Sequence, residues 1–336
     1  MCGAGARKDR GVFILRFDMR APGAGPARRR ELYATALDMA EWAENHNGLS
    51  VVVSEHHAAD DGFLPSPLVL ASAMAARTAS IPVMVGALLI PLYDPVKLAE
   101  DMAVLDIISD GRVSYIAGLG YRPSEYEMFG QDFHRRGKRM DHCLSLLQQA
   151  WTGEPFQVDG RTVRVTPSPQ TPAGPKLFYG GGTPAAARRA ARFGLDLFAE
   201  VNDPGIEVAF RQESERLGRQ PGRCIIPPRG SPNAVFVATD PDAAWARLGE
   251  HLLLDARSYA AWLGTRGTAS SSTAGSVEEL RAENGNYRIL TPAQAVETIK
   301  SFGYLSMQPL CGGIAPDIAW ESLELLATEV LPALTG

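Results

Sequence analysis

The chain has 336 residues, 45% of them hydrophobic and 21% charged, with a formal net charge of -5. That length admits two small domains or one large α/β barrel, and the acidic balance offers no basic field for nucleic acid or an anionic membrane surface. No apolar run approaches the roughly 20 residues of a membrane span.

Residues 1–10 are Gly/Ala-rich and charged, lack an apolar signal segment, and are expected to be flexible. Residues 12–17 predict the first strand, followed by a helix over about 28–44 with Leu32, Ala36, Met39, Ala40 and Ala43 on its apolar face. The second strand, 49–53, runs straight into Ser54-Glu55-His56-His57. A short Ala-rich helix (67–78), a third strand (83–90) and its return helix (95–108) come next. Asp110-Gly111 turns into the fourth strand, 112–117, and a Gly-rich loop over 118–130 leads to a helix over about 135–151. The Pro-rich excursion 155–175 carries a hairpin around Asp159-Gly160.

The fifth, sixth and seventh strands are expected at 176–179, 195–199 and 235–238, and the last at 304–310, with a closing helix over 315–331. The small, polar stretch 264–287 has little to bury and reads as a mobile active-site loop inserted before the last strand. Thr291-Pro292 then caps a helix. Eight strand–helix units without a clean linker predict one (β/α)8 TIM barrel over residues 11–336. Cys2, Cys143, Cys224 and Cys311 lie far apart, without metal-type spacing, and fit reduced cytoplasmic thiols.

Barrels place chemistry at the C-terminal ends of their strands, which draws attention to Glu55, His56 and His57. A metal pair, a general acid/base and a structural hydrogen bond compete for the two imidazoles. A metal would need ligands at other strand ends, whereas His46, His134, His142 and His251 fall in or beside helices. Proton transfer suits a group titrating near neutrality, with one ring pointing inward and the other packed at the rim. Gly180-Gly181-Gly182-Thr183 joins a strand to a helix start, where uncrowded N–H groups and the helix dipole favour an anion. The alternative is a plain turn capped by Thr183. Gly118-Leu119-Gly120-Tyr121 either admits a ligand close to the backbone or only turns the chain. Glu125, Glu127 and Phe129 follow it and offer an acid or an aromatic wall. Arg139 suits phosphate if its helix starts near the Gly-rich turn, and is a surface arginine otherwise.

Taken in order, these segments resemble the bacterial-luciferase-like flavin monooxygenases, which are TIM barrels. The resemblance covers most of the chain: Ser54-Glu55-His56-His57, residues 94–101, 105–112 and 118–125 with Phe129-Gly130, then 139–153, 180–194, Gly312-Gly313 and 329–332. It implies that His56 is the active-site imidazole facing a flavin ring, with Glu55 beside it and His57 in a structural part. It also implies that Gly180, Gly181, Gly182 and Thr183, helped by Arg139, hold the flavin phosphate. The family's non-proline cis peptide falls on Leu88–Leu89, beneath the isoalloxazine, and Gly118-Leu119 stands where the luciferase has a Cys-Arg pair. The implied activity is a monooxygenase using O2 and reduced FMN from a separate flavin reductase on a small organic substrate, as a homodimer. F420-dependent hydride transfer is the alternative within the same barrel. A metal-dependent barrel hydrolase and a non-catalytic flavin-binding protein are the alternatives from other classes.

Overall fold

Short apolar runs alternate with helices along this chain, and each helical return brings the next strand in parallel to its neighbour. The computed structural model describes residues 11–263 and 272–335. In it β1 (Phe13–Phe17), β2 (Ser50–Val53), β3 (Val83–Leu88) and β4 (Val113–Ala117) follow one another across the sheet. The hairpin forms as expected, from β5 (Phe156–Val158) and β6 (Arg161–Val163), in a separate sheet. The main sheet continues with β7 (Lys176–Gly180), β8 (Asp196–Phe198), β9 (Cys224–Ile225), β10 (Ala234–Val237), β11 (Tyr287–Leu290) and β12 (Leu305–Met307). Its ten strands bond in the order β11-β10-β12-β1-β2-β3-β4-β7-β8-β9, every pair parallel. The first strand of the chain therefore lies between β2 and the last, the neighbour order of a TIM-type α/β barrel. The ladder is left open between β9 and β11.

Most helices start on proline, whose missing N–H is not needed in a first turn. They are α1 (Pro26–Asn45), α2 (Pro67–Arg77), α3 (Pro95–Ser109), α4 (Pro123–Met128), α5 (Arg136–Ala150) and α6 (Pro184–Phe193). The second half supplies α7 (Pro204–Arg216), α8 (Pro241–Leu263), α9 (Val277–Glu283), α10 (Pro292–Phe302), α11 (Pro316–Leu325) and α12 (Leu331–Thr335). Asp94 caps α3 through two backbone N–H groups, and Thr291 with Gln294 forms a full capping box on α10. Such caps contribute about 1 kcal/mol each. Strand β4 is buried along its whole length, as a strand covered by helices on one side and filled barrel on the other should be. The Asp110-Gly111 turn delivers Arg112, whose guanidinium donates to the Ala75, Thr78 and Ile81 carbonyls and the Thr78 hydroxyl at 2.8–3.1 Å. One side chain thus fastens the end of α2 to the starts of β3 and β4.

The structure corrects three expectations. The non-proline cis peptide is Gly86–Ala87, not Leu88–Leu89. Two small residues take the bond, and β3 shifts register against β4 between Gly86 and Leu88, while both leucines are buried wall residues. The stretch 264–287 is not all loop, because Ser276 caps α9, Leu280 anchors it in the core, and Tyr287 begins β11. Its segment 264–271 lies outside the described residues, as does 1–10. The insertion consequently precedes β11 rather than the last strand, and β9 and β11 go beyond the eight strands the sequence predicts.

Candidate active site

Parallel strands present all their C-terminal ends at one rim. His56, three residues beyond β2, is only 6% exposed there. Its Nδ1 lies 2.8 Å from Glu125 Oε1, and its Nε2 lies 2.9 Å from the Tyr121 hydroxyl. Phe63, Tyr121 and Trp262 close around the ring at centroid distances of 4.8, 5.3 and 4.8 Å. Glu125, on α4, is fully buried and also accepts from the His57 backbone N–H at 3.0 Å and from Arg122 Nη1 at 3.2 Å. Its second oxygen, Oε2, has no hydrogen-bond partner. His57 belongs to a separate acid: its Nε2 is 2.9 Å from Glu55 Oε1, which also accepts from the Tyr93 hydroxyl at 2.6 Å. Glu55 Oε2 accepts the Leu89 backbone N–H at 2.6 Å. The tandem imidazoles are thus split between two carboxylates, one network reaching α4 and the other the end of β3.

Burial lowers the pKa of His56, against the opposing pull of Glu125. Burial raises that of Glu125, but the His56 contact, the His57 N–H and Arg122 together outweigh it and bring the carboxyl below its usual range. Burial pushes the Tyr121 phenol well up. At neutral pH the consistent assignment is a neutral imidazole whose Nδ1–H donates to ionised Glu125, leaving Nε2 to accept from the Tyr121 hydroxyl.

A second charged cluster backs this site. Arg20, beyond β1, is fully buried, with Nη1 2.6 Å from Asp61 and Nε 3.1 Å from Asp255 and 3.5 Å from Asp18. The contact to Asp255 is an ion pair without a well-directed hydrogen bond. The guanidinium lies over the Phe63, Tyr259 and Trp262 rings at 4.8, 4.9 and 4.4 Å. Arg122 lies over Trp262 as well, at 4.2 Å. Asp18 accepts from Gln308 Nε2 at 2.7 Å, and Asp255 from the Tyr287 hydroxyl at 2.7 Å. Burial, then the facing Asp255 carboxylate, pushes Asp18 up to about 7.

At the end of β7, Thr183 is the N-cap of α6 and its Oγ1 accepts the Ala186 N–H at 3.2 Å. Gly181 adopts a φ of 148°, open to glycine alone in practice, and a Cβ there would lie 2.8 Å from Ala186 Cβ. Gly118 donates its N–H to Leu88 O at 2.8 Å, and a Cβ on it would lie 2.7 Å from Ala87 Cβ. The strand ends of β3 and β4 therefore close together only around a glycine. Leu119 accepts the Tyr126 hydroxyl at its carbonyl. Arg139 donates from Nε and Nη2 to the carbonyls of Pro91 and Tyr93 at 2.5 and 3.0 Å, fixing the turn after β3.

The structure unites His56, His57, Glu55 and Leu89 with residues that sequence reasoning left aside. Glu125 stood only as an acid of the loop, and the Arg122–Glu125 spacing of three was the local signal for it. Tyr121 carried only a motif position, while Arg20 and Trp262 had no signal at all. Among the described residues no three His, Cys, Asp or Glu side chains converge to hold a metal ion, and no helix is long and apolar enough to cross a membrane.

Comparison with known proteins adds the lineage. The family model for luciferase-like monooxygenases matches residues 10–299. The monooxygenase RslO1 of Streptomyces bottropensis superposes with a TM-score of 0.74 at 21% identity, over 96% of this chain and 99% of that one. The oxygenating constituent of 3,6-diketocamphane monooxygenase from Pseudomonas putida, solved with FMN, gives 0.70 at 19% identity, over 96% and 98%. An F420-dependent glucose-6-phosphate dehydrogenase of Nocardia farcinica is 30% identical over 209 residues, 59% of this chain and 60% of its own. The chain spans about half the length of the curated relatives it matches, 46% and 44% in two of them. On the match over residues 10–299, this chain belongs to the luciferase-like monooxygenase family.

Proposed function

We propose that this chain is the oxygenase component of a flavin-dependent monooxygenase, taking reduced FMN from a separate reductase and using O2 on a small organic substrate. The observation that carries the reading is the pairing of a buried Glu125–His56 acid/base couple with a Gly-Gly-Gly-Thr anion turn on the same barrel rim. The residues present fit the cofactor. The turn before α6 is bare of side chains, and Thr183 Oγ1, already an acceptor for the helix, keeps its hydroxyl proton to donate to a phosphate. Gly86, Ala87 and Gly118 themselves carry nothing larger than a methyl where β3 and β4 end, with Ile116 and Leu89 packed against the two glycines. Arg139 donates to two backbone carbonyls through Nε and Nη2, so the turn and Thr183 carry the phosphate in this reading. When bound, reduced flavin supplies the oxidation chemistry. The chain supplies position, a proton site at His56, and an aromatic wall of Phe63, Tyr259 and Trp262 that shields the His56 imidazole from water.

The Gly118-Leu119 pair, without a cation, and the F420-dependent relative support hydride transfer with F420 as the second reading. The homodimer is part of the proposal, as is a cytoplasmic setting, which accords with unpaired Cys143, Cys224 and Cys311 and is checked by cell fractionation. Titration with FMN and with F420, followed by fluorescence quenching, tests the cofactor. Binding of FMN, with oxygenated product formed from reduced FMN and O2, supports the first reading. Tight binding of F420 alone would replace it with the second.

A further inference from the structure

His56 has two ring nitrogens, and neither is free. Nδ1 is held by the fully buried Glu125 carboxylate at 2.8 Å, and Nε2 is covered by the Tyr121 hydroxyl at 2.9 Å. Phe63 and Trp262 close the ring's remaining approaches. Tyr121 differs, because it follows the Gly118–Gly120 turn at the end of β4 and is only half-buried, so the outer end of the chain of hydrogen bonds is a phenol. We infer that Tyr121 is the catalytic residue that exchanges the proton with bound substrate, and that His56 and Glu125 act through it. The inference rests on the acid/base reading of this site and moves its working atom from an imidazole nitrogen to a phenol oxygen.

The step balances. In the base direction the substrate gives its proton to the Tyr121 oxygen as the Tyr121 hydroxyl proton passes to His56 Nε2. The substrate leaves as its conjugate base, Tyr121 is regenerated as a neutral phenol, and the imidazolium formed faces the Glu125 carboxylate. The acid direction runs the same transfers in reverse. Burial keeps the phenol protonated at neutral pH, and Tyr259, Glu125, Glu200 and Arg20 are the other ionisable groups acting on it. A tyrosine used in this way never has to carry a free negative charge, since its own proton leaves only as another arrives.

The test compares Tyr121→Phe, His56→Ala and the double variant in the FMN-loaded protein. Each single change is expected to lower turnover by about 10²-fold, and the double change to be within about 3-fold of the worse single one, as for residues that act as a unit. In the flavin-free chain, nitrogen-detected NMR should show the His56 pKa rise in Tyr121→Phe, because a donor to Nε2 that favours the neutral ring has gone. Full turnover in Tyr121→Phe, or losses that simply add, would make Tyr121 a wall and leave His56 as the terminal group. Unchanged turnover in His56→Ala would overturn the acid/base reading itself and this inference with it. Should Tyr121→Phe fail to fold, difluorotyrosine at position 121 keeps the shape and lowers the phenol pKa. The turnover pH profile must then shift to lower pH, and an unmoved profile overturns the assignment.

Discussion

Glu125 holds the candidate site together by accepting three donors on a single oxygen: the His56 ring, the His57 backbone and Arg122. Its charge matters more than its shape, because an amide oxygen could receive the same donors. Glu125→Gln should therefore fold normally yet lose the anion that stabilises a protonated His56. We expect the His56 pKa to fall further and turnover to drop by about 10²-fold; an imidazole titration by NMR that does not move would deny Glu125 this role. His56 and His57 were legible because they sit directly behind a β-branched strand. Their division between two acids was not, since His56 meets a carboxylate 69 residues away and nothing in the local sequence marks that meeting. Arg139 was legible only as a residue type that suits phosphate; its hold on the Pro91 and Tyr93 carbonyls was not, for a related reason.

Among the elements, α2 and α3 pack side by side, and each exposes apolar side chains. Val69 is 72% exposed, and Val104, Ile107 and Ile108 are between 42% and 46% exposed. Val69 alone needs no explanation, but Val104, Ile107 and Ile108 share one face of α3 by their spacing and fit a partner surface. For the proposed homodimer, Ile107→Glu should weaken self-association by at least about 10-fold through the cost of burying an unpaired charge. Sedimentation that finds the unaltered chain monomeric at micromolar concentration removes the proposal. Strand–helix alternation made most elements readable in advance. It failed where the signal was short or mixed: β9 has two residues, and Arg288 interrupts β11. The Ser276 cap and buried Leu280 of α9 were hidden in a run of small polar residues that otherwise reads as loop.

For the molecule as a whole, Asp18, Arg20, Asp255, Tyr287 and Gln308 tie the end of β1 to α8, β11 and the segment after β12, on the side where the barrel ladder is open. Both Asp18 and Asp255 have pKa values raised first by burial, Asp18 to about 7. A raised acid binds its proton more tightly when folded, so its stabilisation is complete below the unfolded pKa of about 4 and is lost as pH climbs through its folded value. Melting temperature should thus fall by a few degrees between about pH 5 and about pH 8. Asp18→Asn, which resembles the protonated acid, should flatten most of that slope. A variant with the slope of the parent chain would assign the effect elsewhere.

The indole of Trp262 carries a guanidinium at 4.4 Å and another at 4.2 Å, and it sits against His56 near the end of α8. Indole emission responds to nearby cations, so this side chain is an optical reporter built into the protein. A ligand that parts this stack to reach the imidazole changes the emission of one of the chain's five tryptophans before any product is made. The same property allows occupancy to be followed with substrates that never turn over, which makes the chain its own assay for what it recognises.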